Sequence, residues 1–221
     1  MKYAFTHGKL LDGTKDMQVQ EGLCVLTDGE RISAIVPEGT PLDGYIVVDL
    51  QGRYLMPGLI NMHVHLAGNG KPQKKQRDNA KLVKTLMSNR ISRAIAYRMV
   101  AGFAKDELLS GVTTIRTVGG LGTFDTRLRD EIKAGKKTGP RILAANEGIS
   151  VPGGHMAGSV AIAAESIDAA VAHVDEAKRE NVNLIKLMIT GGVLDAKEKG
   201  VPGELKMAPE MVKAVCNRAH A

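Results

Sequence analysis

The chain has 221 residues, of which 43% are apolar, 3% are aromatic and 25 are glycine. This length and apolar content allow a sizeable buried core, and two cysteines far apart in sequence, Cys24 and Cys216, exclude a disulfide-stabilised scaffold. The 30 basic and 24 acidic residues give a formal charge of +6, but basic and acidic residues are largely interspersed. We interpret the densest basic group, residues 71–77, as a solvated surface, with steering of an acidic substrate as the alternative. We therefore expect no nucleic-acid partner.

Residues 1–54 are predicted to form a small β domain. Short apolar runs alternate there with turn sequences such as Asp12-Gly13, Asp28-Gly29 and Asp43-Gly44, which indicates strands joined by tight turns. The N-terminus lacks the apolar region of a signal peptide, and no apolar run in the chain is long enough to span a bilayer. We therefore predict a cytoplasmic protein with no membrane partner.

Residues 55–221 are predicted to form a second domain in which strands and helices alternate. The predicted strands cover about 55–65, 112–118, 140–146 and 183–190, and such alternation is typical of parallel βα units. Shorter helices are predicted at about 124–134, 166–180 and 209–220, the first capped by Thr123 or Asp125 and the second by Ser166.

A long helical segment is predicted between the first two strands of this domain. Apolar residues recur in it at spacings of three and four, which indicates one face packed on a core. The residues of this predicted core stripe are Leu82, Leu86, Ile95, Met99, Phe103 and Leu108.

Two histidines end the first predicted strand of the second domain, in the sequence PGLINMHVH at 57–65. Because strand side chains alternate between faces, His63 and His65 point the same way and can bind one metal ion together. The pattern is short, so two structural histidines on a strand remain the alternative.

Three further stretches accompany this pair: GVTTIR at 111–116, GPRIL at 139–143 and NLIKLMITGG at 183–192. In this order they resemble the amidohydrolase superfamily, and within it the imidazolonepropionase-related branch that includes Xaa-Pro dipeptidases (prolidase-like enzymes). The resemblance implies an α/β fold, the (β/α)8 TIM barrel, preceded by part of a small β-sandwich domain. A full barrel takes about 250 residues, so we expect only about the first four βα units here.

The resemblance also implies a metal centre. His63, His65 and Lys186 would bind two divalent metal ions, with zinc as the expected metal, and Lys186 would carry a carbamate that bridges them. From the residues alone, a lysine in the apolar run LIKLM is expected either to lose its proton on burial or to extend its ammonium group to water.

Two further side chains are candidates for contacting the substrate. His155 follows the glycines of VPGGH at 151–155, where we expect it to contact the substrate or to stabilise the transition state, with a locally hydrogen-bonded loop histidine as the alternative. Arg116 ends the second predicted strand and could pair with a substrate carboxylate through its planar guanidinium group.

The implied function is hydrolysis of amide or peptide C–N bonds by a metal-activated hydroxide, with small amides or dipeptides that end in proline as substrates. The family's two further histidine ligands and its general-base aspartate have no positions in this chain, so we expect a missing C-terminal half, as a continuation or as a second chain. The alternative is a non-catalytic half-barrel that self-associates and lacks a complete metal site. In either case we expect a homo-oligomer.

Overall fold

A computed structural model describes residues 1–68, 70, 78–192, 198, 201 and 203–221. The basic group at 71–77 lies outside the described residues. The backbone divides into two compact units, Met1–Gly58 and Leu59–Ala221. The first unit thus extends a few residues past the predicted boundary at residue 54, because the strand at Tyr54–Leu55 pairs with an earlier strand.

The first unit is built from short β-strands. A four-stranded sheet has the order β4-β3-β1-β5, in which β1 runs antiparallel to β3 and parallel to β5. Ala4, Cys24 and Leu26 are buried on one side of this sheet. A two-stranded parallel pair, β2-β6, completes the unit. The strands are β1 (Lys2–Thr6), β2 (Lys9–Leu10), β3 (Leu23–Asp28), β4 (Arg31–Pro37), β5 (Ile46–Asp49) and β6 (Tyr54–Leu55).

The second unit contains the parallel strands that the alternating pattern predicts. Strands β7, β8 and β9 form a three-stranded parallel sheet in chain order, and β10 and β11 form a parallel pair. Parallel neighbours require crossover connections, which the helices between β7 and β9 provide. The strands are β7 (Leu59–Val64), β8 (Val112–Thr117), β9 (Arg141–Leu143), β10 (Gly148–Ser150) and β11 (Ala161–Ala163).

Five helices are described in this unit, and none of the described helices is long and apolar enough to cross a membrane. Ser166 caps the fourth as predicted, because its hydroxyl accepts a hydrogen bond from the Ala169 amide at 3.1 Å. Thr123 precedes the third without a side-chain cap, and Asp125 lies inside that helix. The helices are α1 (Asn79–Leu86), α2 (Arg90–Leu109), α3 (Phe124–Lys133), α4 (Ile167–Arg179) and α5 (Pro209–His220).

The prediction of one long helix between the first two strands of this unit was wrong. The segment breaks between α1 and α2, where the Asn89 side chain accepts hydrogen bonds from the Ile91 and Ser92 amides at 3.0 Å each and starts a new helix. The predicted stripe is also wrong in part, because Ile95 is 55% exposed and Met99 is 48% exposed. The packed face of α2 instead carries Ala96, Tyr97, Val100 and Ala104.

The segment predicted as a strand at 183–190 is not a regular strand. It lies parallel to β10, with the Ile149 amide donating to the Lys186 carbonyl at 2.8 Å and the Met188 amide donating to the Ile149 carbonyl at 2.9 Å. The extended backbone beside this segment is interrupted between β9 and β10, where Asn146 has a φ of 55°. This left-handed residue breaks the continuous edge that a longer ladder would need.

The Asn146 side chain joins three elements of the second unit. It is 1% exposed, and its oxygen accepts a hydrogen bond from the Thr126 amide at 3.0 Å. Its amide nitrogen donates to the Thr126 hydroxyl at 3.1 Å and to a Glu180 carboxylate oxygen at 2.8 Å. The first turn of α3 and the end of α4 are therefore both tied to the backbone between β9 and β10.

Two apolar clusters support the strand ends. One lies among β7, β8, β9, α2 and α3 and includes Ile115, Ala104 and Leu128. The other includes Ile149 of β10, Val174 of α4 and Val215 of α5. Packed apolar side chains therefore support both β7–β9 and β10, next to the candidate site residues.

Candidate active site

The predicted site residues lie near the carboxyl ends of neighbouring parallel elements. His63 is the penultimate residue of β7, and His65 follows β7 directly. Arg116 is the penultimate residue of β8. Lys186 lies in the extended segment beside β10, and His155 follows β10 in a loop. In α/β folds with parallel strands this edge carries the functional groups, which is the arrangement that the sequence predicts.

The two histidines form a close pair. Their ring centroids are 5.3 Å apart and the rings are inclined by 64°. Nδ1 of His65 lies 3.0 Å from the Gly119 carbonyl oxygen. Because a carbonyl can only accept, Nδ1 of His65 carries the hydrogen, and Nε2 of the neutral ring keeps a lone pair that can bind a metal.

The pKa of His63 is lowered by its surroundings. Burial lowers the pKa of His63, and electrostatic interactions with Lys186, His65, Arg116 and His155 lower it further. The ring is therefore biased toward the neutral form, which is the form that binds metals.

Lys186 is half-buried in the same cluster of cations. Burial lowers the pKa of Lys186, with a further contribution from the Arg116 guanidinium group. Among the described residues, no group of three or more His, Cys, Asp or Glu side chains is arranged to hold a metal. A role for Lys186 as a metal ligand beside the two histidines stays a prediction.

Arg116 is fixed by the strand that carries the histidines. Its Nε donates a hydrogen bond to the Met62 carbonyl oxygen at 2.8 Å, and its side chain is half-buried. This contact orients the guanidinium group at the end of β8, next to Lys186 and His63. Its predicted contact with a substrate carboxylate stays a prediction.

His155 is held by the segment that follows Lys186. Its backbone amide donates to the Thr190 carbonyl at 3.0 Å. Gly192 has a φ of 77°, and a Cβ atom there would overlap Nδ1 of His155. In the sequence the Thr-Gly-Gly stretch is only part of a family motif, whereas in the structure its second glycine leaves room for the His155 ring.

A cavity of about 780 Å³ borders the histidine pair. Its lining includes His63 and His65 together with apolar side chains such as Leu86 and Phe103. Of the described site residues, Lys186, Arg116 and His155 lie outside that lining, so the cavity adjoins the cluster without enclosing it.

A buried carboxyl group that was not predicted from the sequence lies behind His65. Asp125 is 1% exposed and lies against Gly120, one residue after the Gly119 carbonyl that His65 contacts. Burial raises the pKa of Asp125 to about 6, although a hydrogen bond from Thr117 acts in the opposite direction. From sequence, an aspartate at a helix start indicates a cap, so nothing distinguished this one.

The chain is similar to several known proteins. A candidate prolidase from Bifidobacterium longum is 31% identical, with a TM-score of 0.74 over 99% of this chain and 47% of its own. A Xaa-Pro dipeptidase crystallised with bound methionine is 29% identical, with a TM-score of 0.75 over 100% of this chain and 54% of its own. A dihydroorotase from Lactobacillus johnsonii is 41% identical over 51 residues, which are 23% of this chain and 11% of that protein.

The match to solved structures establishes the fold. The chain spans about half the length of the solved structures it matches, and it contains the first βα units of their TIM barrel after part of a β domain. The model of the amidohydrolase family matches residues 54–221, which include every candidate site residue. The chain belongs to the amidohydrolase family.

Proposed function

We propose that this chain provides half of the active site of a metal-dependent hydrolase of amide bonds, with dipeptides that end in proline or related small amides as substrates. The observation that carries the proposal is the cluster of His63, His65 and Lys186, in which the lysine charge acts on His63 and burial favours the neutral amine. The prolidase-like relatives support the substrate class.

The donor set fits divalent metal ions, with zinc first. His65 offers Nε2 because its Nδ1 is bonded to the Gly119 carbonyl, and His63 is biased toward its neutral form. The neutral Lys186 amine would attack carbon dioxide: a nitrogen–carbon bond forms, one N–H proton leaves to solvent, and a carbamate with two oxygen donors results. When bound, the metal ions would supply a water of lowered pKa and polarise the scissile carbonyl.

The other side chains of the cluster would bind and orient the substrate. Arg116 would pair with a substrate carboxylate, since its planar fork suits two carboxylate oxygens. His155 would donate a hydrogen bond to the oxygen of the carbonyl under attack. The remaining metal ligands and the general base would come from the part of the relatives' length that this chain does not span, as a continuation or a second chain.

Zinc titration of the chain with single substitutions tests the metal site. We expect His63→Ala, His65→Ala and Lys186→Ala each to weaken zinc binding by more than about a hundredfold, since each removes a ligand. Lys105→Ala, an exposed lysine on α2, is the control and should bind like the unmodified chain. Native mass spectrometry of the unmodified chain should also detect the mass of carbon dioxide added to Lys186. The Lys186→Ala variant should lack this added mass.

Equal zinc binding by all four variants would overturn the metal site. In the complex that includes the missing half, Lys186→Ala should abolish hydrolysis of a proline-terminated dipeptide while leaving assembly intact. An active Lys186→Ala complex would contradict the proposed role of the lysine.

A second candidate function is a non-catalytic half-barrel that self-associates. It is favoured by the apolar side chains exposed on the second unit, among them Ile60 at 63%, Ile91 at 76% and Ile95 at 55%. Sedimentation of the chain with and without zinc discriminates the two: self-association that ignores zinc, with no measurable zinc binding, would favour the half-barrel.

A further inference from the structure

The orientation of His65 depends on a single backbone carbonyl. Its Nδ1–H donates to Gly119 at 3.0 Å, which leaves Nε2 as the nitrogen available to a ligand. If the Gly119 carbonyl turned away, the imidazole would lose the contact that selects this tautomer. The position of the turn at Gly119 and Gly120 therefore determines which nitrogen His65 presents.

This turn is tightly enclosed at its first glycine. Gly119 has a φ of 134°, and a Cβ atom there would lie 3.0 Å from the Met188 methyl carbon, 3.1 Å from the Val160 carbonyl oxygen and 3.2 Å from Cε1 of His65. Only glycine adopts this backbone conformation without strain. The peptide at Gly119 thus sits between His65 and two other elements of the second unit.

Asp125 encloses the turn at its second glycine. A Cβ atom on Gly120 would lie 2.5 Å from Oδ2 and 2.8 Å from Cγ of Asp125, so the carboxyl group is in direct contact with the Gly120 backbone. Among the described residues, that buried Oδ2 has no hydrogen-bond partner. The Thr117 hydroxyl hydrogen-bonds to the carboxyl group and also accepts from the Ala145 amide at 3.2 Å, which links the carboxyl group to the backbone after β9.

A carboxyl group with an unpartnered oxygen is an expensive way to fill space in a core. Burying such a group without compensation destabilises a fold by a few kcal/mol in general, whereas an apolar side chain would stabilise it. The Asp125 carboxyl group lies against the turn that orients His65, and a role in holding this turn would explain why a buried carboxyl group is present there. We infer that Asp125 is a positioning residue for His65, which acts by holding the Gly119–Gly120 turn in place.

The inference rests on the proposed function only in assuming that His65 is oriented to bind a metal. The test therefore begins with the metal-free chain. Long-range ¹H–¹⁵N correlation spectra of ¹⁵N-histidine-labelled protein at about pH 8.5 report which ring nitrogen of His65 carries the hydrogen. The unmodified chain should show the Nδ1–H form. Asp125→Ala, which removes the group against Gly120, should show the Nε2–H form in addition.

Two variants separate positioning from general stability. Asp125→Asn keeps the shape of the side chain and should restore the Nδ1–H form, whereas Asp130→Ala removes an exposed carboxylate from the same helix and should change nothing. If Asp125→Ala does not fold, Asp125→Ser replaces it, because serine is well tolerated in a first helical turn. A His65 tautomer that matches the unmodified chain in the folded Ala or Ser variant would overturn the inference.

Zinc affinity is the second measurement. Loss of the support behind a ligand typically weakens metal binding about 10- to 100-fold, so we expect a loss of about tenfold in Asp125→Ala with recovery in Asp125→Asn. Absence of zinc binding in the unmodified chain would contradict the proposed metal site and leave the tautomer result to decide on Asp125. Equal zinc affinity in a variant with a changed tautomer would contradict the positioning role.

Discussion

Two walls of the candidate active site differ in how deeply their residues are buried. The wall at the end of β8, formed by Thr117, Gly119, Gly120 and Asp125, is fully buried, with Thr117 at 0% and Asp125 at 1% exposure. The wall formed by the segment from Lys186 to Gly192 together with His155 is half-buried. We call them the buried wall and the half-open wall.

The difference separates orientation from reactivity. The buried wall fixes one imidazole tautomer through packed backbone and carries the desolvation penalty of a carboxyl group to do so. The half-open wall leaves a lysine partly hydrated, so that burial lowers its pKa without excluding the small reactants that an amine needs. Substitutions in the buried wall therefore test its rigidity, and substitutions in the half-open wall test how its side-chain positions and pKa values respond.

Gly120→Ala should have the largest effect, because the added methyl group meets the Asp125 carboxyl at 2.5 Å within the buried wall. We expect a loss of about 3 kcal/mol in the free energy of unfolding, measured by urea denaturation. Gly102→Ala is the matched control, since its Cβ has nothing within 4 Å and lies in α2, where alanine should stabilise by about 0.5–1 kcal/mol. Unchanged stability in Gly120→Ala would mean that the buried wall yields easily.

Asp125→Asn should remove a pH dependence of stability. The folded chain holds the Asp125 proton up to about pH 6, whereas the unfolded chain releases it near 3.8, so a rise in pH between these values favours unfolding. We expect the unmodified chain to lose roughly 2–3 kcal/mol between pH 4 and pH 7 that the Asn variant keeps. Parallel stability curves for the two proteins across this range would show that Asp125 ionises freely in the fold.

Gly192→Ala should act locally on the half-open wall. A residue other than glycine at a φ of 77° costs about 1–2 kcal/mol, and the methyl group must also displace the His155 ring. Gly135→Ala has the same type of φ, 70°, with nothing within 4 Å, and should lose similar stability without moving His155. The ring chemical shifts of His155 measure the displacement, and identical shifts in both variants would contradict the contact.

Arg116→Gln should have the smallest effect. Removing this cation should raise the pKa of Lys186 part of the way toward its ordinary value, because burial is the larger cause of the lowering. Titration of ¹³C-dimethylated lysines by NMR measures the shift, and Arg98→Gln, an exposed arginine on α2, is the control. A Lys186 titration unaffected by Arg116→Gln would place the two side chains further apart than the structure has them.

Sequence patterns predicted the order of elements better than their packing. Parallel βα units and the Ser166 cap depend on local signals, namely apolar alternation and a cap hydroxyl, and both were confirmed. The packed face of α2 was not predictable in this way, because small residues such as Ala96 and Ala104 allow close approach to the sheet while Ile95 and Met99 stay exposed.

The candidate site shows the same division. His63 and His65 were predicted as site residues from their spacing and Lys186 from a family motif, and the structure brings the three into one electrostatic cluster. Asp125 was not identified, because its burial depends on a turn and a helix start meeting in space, and such a meeting leaves no periodic signal in sequence. The interruption at Asn146 was missed for the same reason.

The Asn146 side chain has a consequence for cooperativity. One amide group links the backbone after β9, the first turn of α3 and the end of α4, so these three segments cannot open independently without breaking its hydrogen bonds. In native-state hydrogen exchange, the Thr126 amide should therefore exchange together with the amides around Glu180, as part of one unfolding unit rather than with its own helix alone.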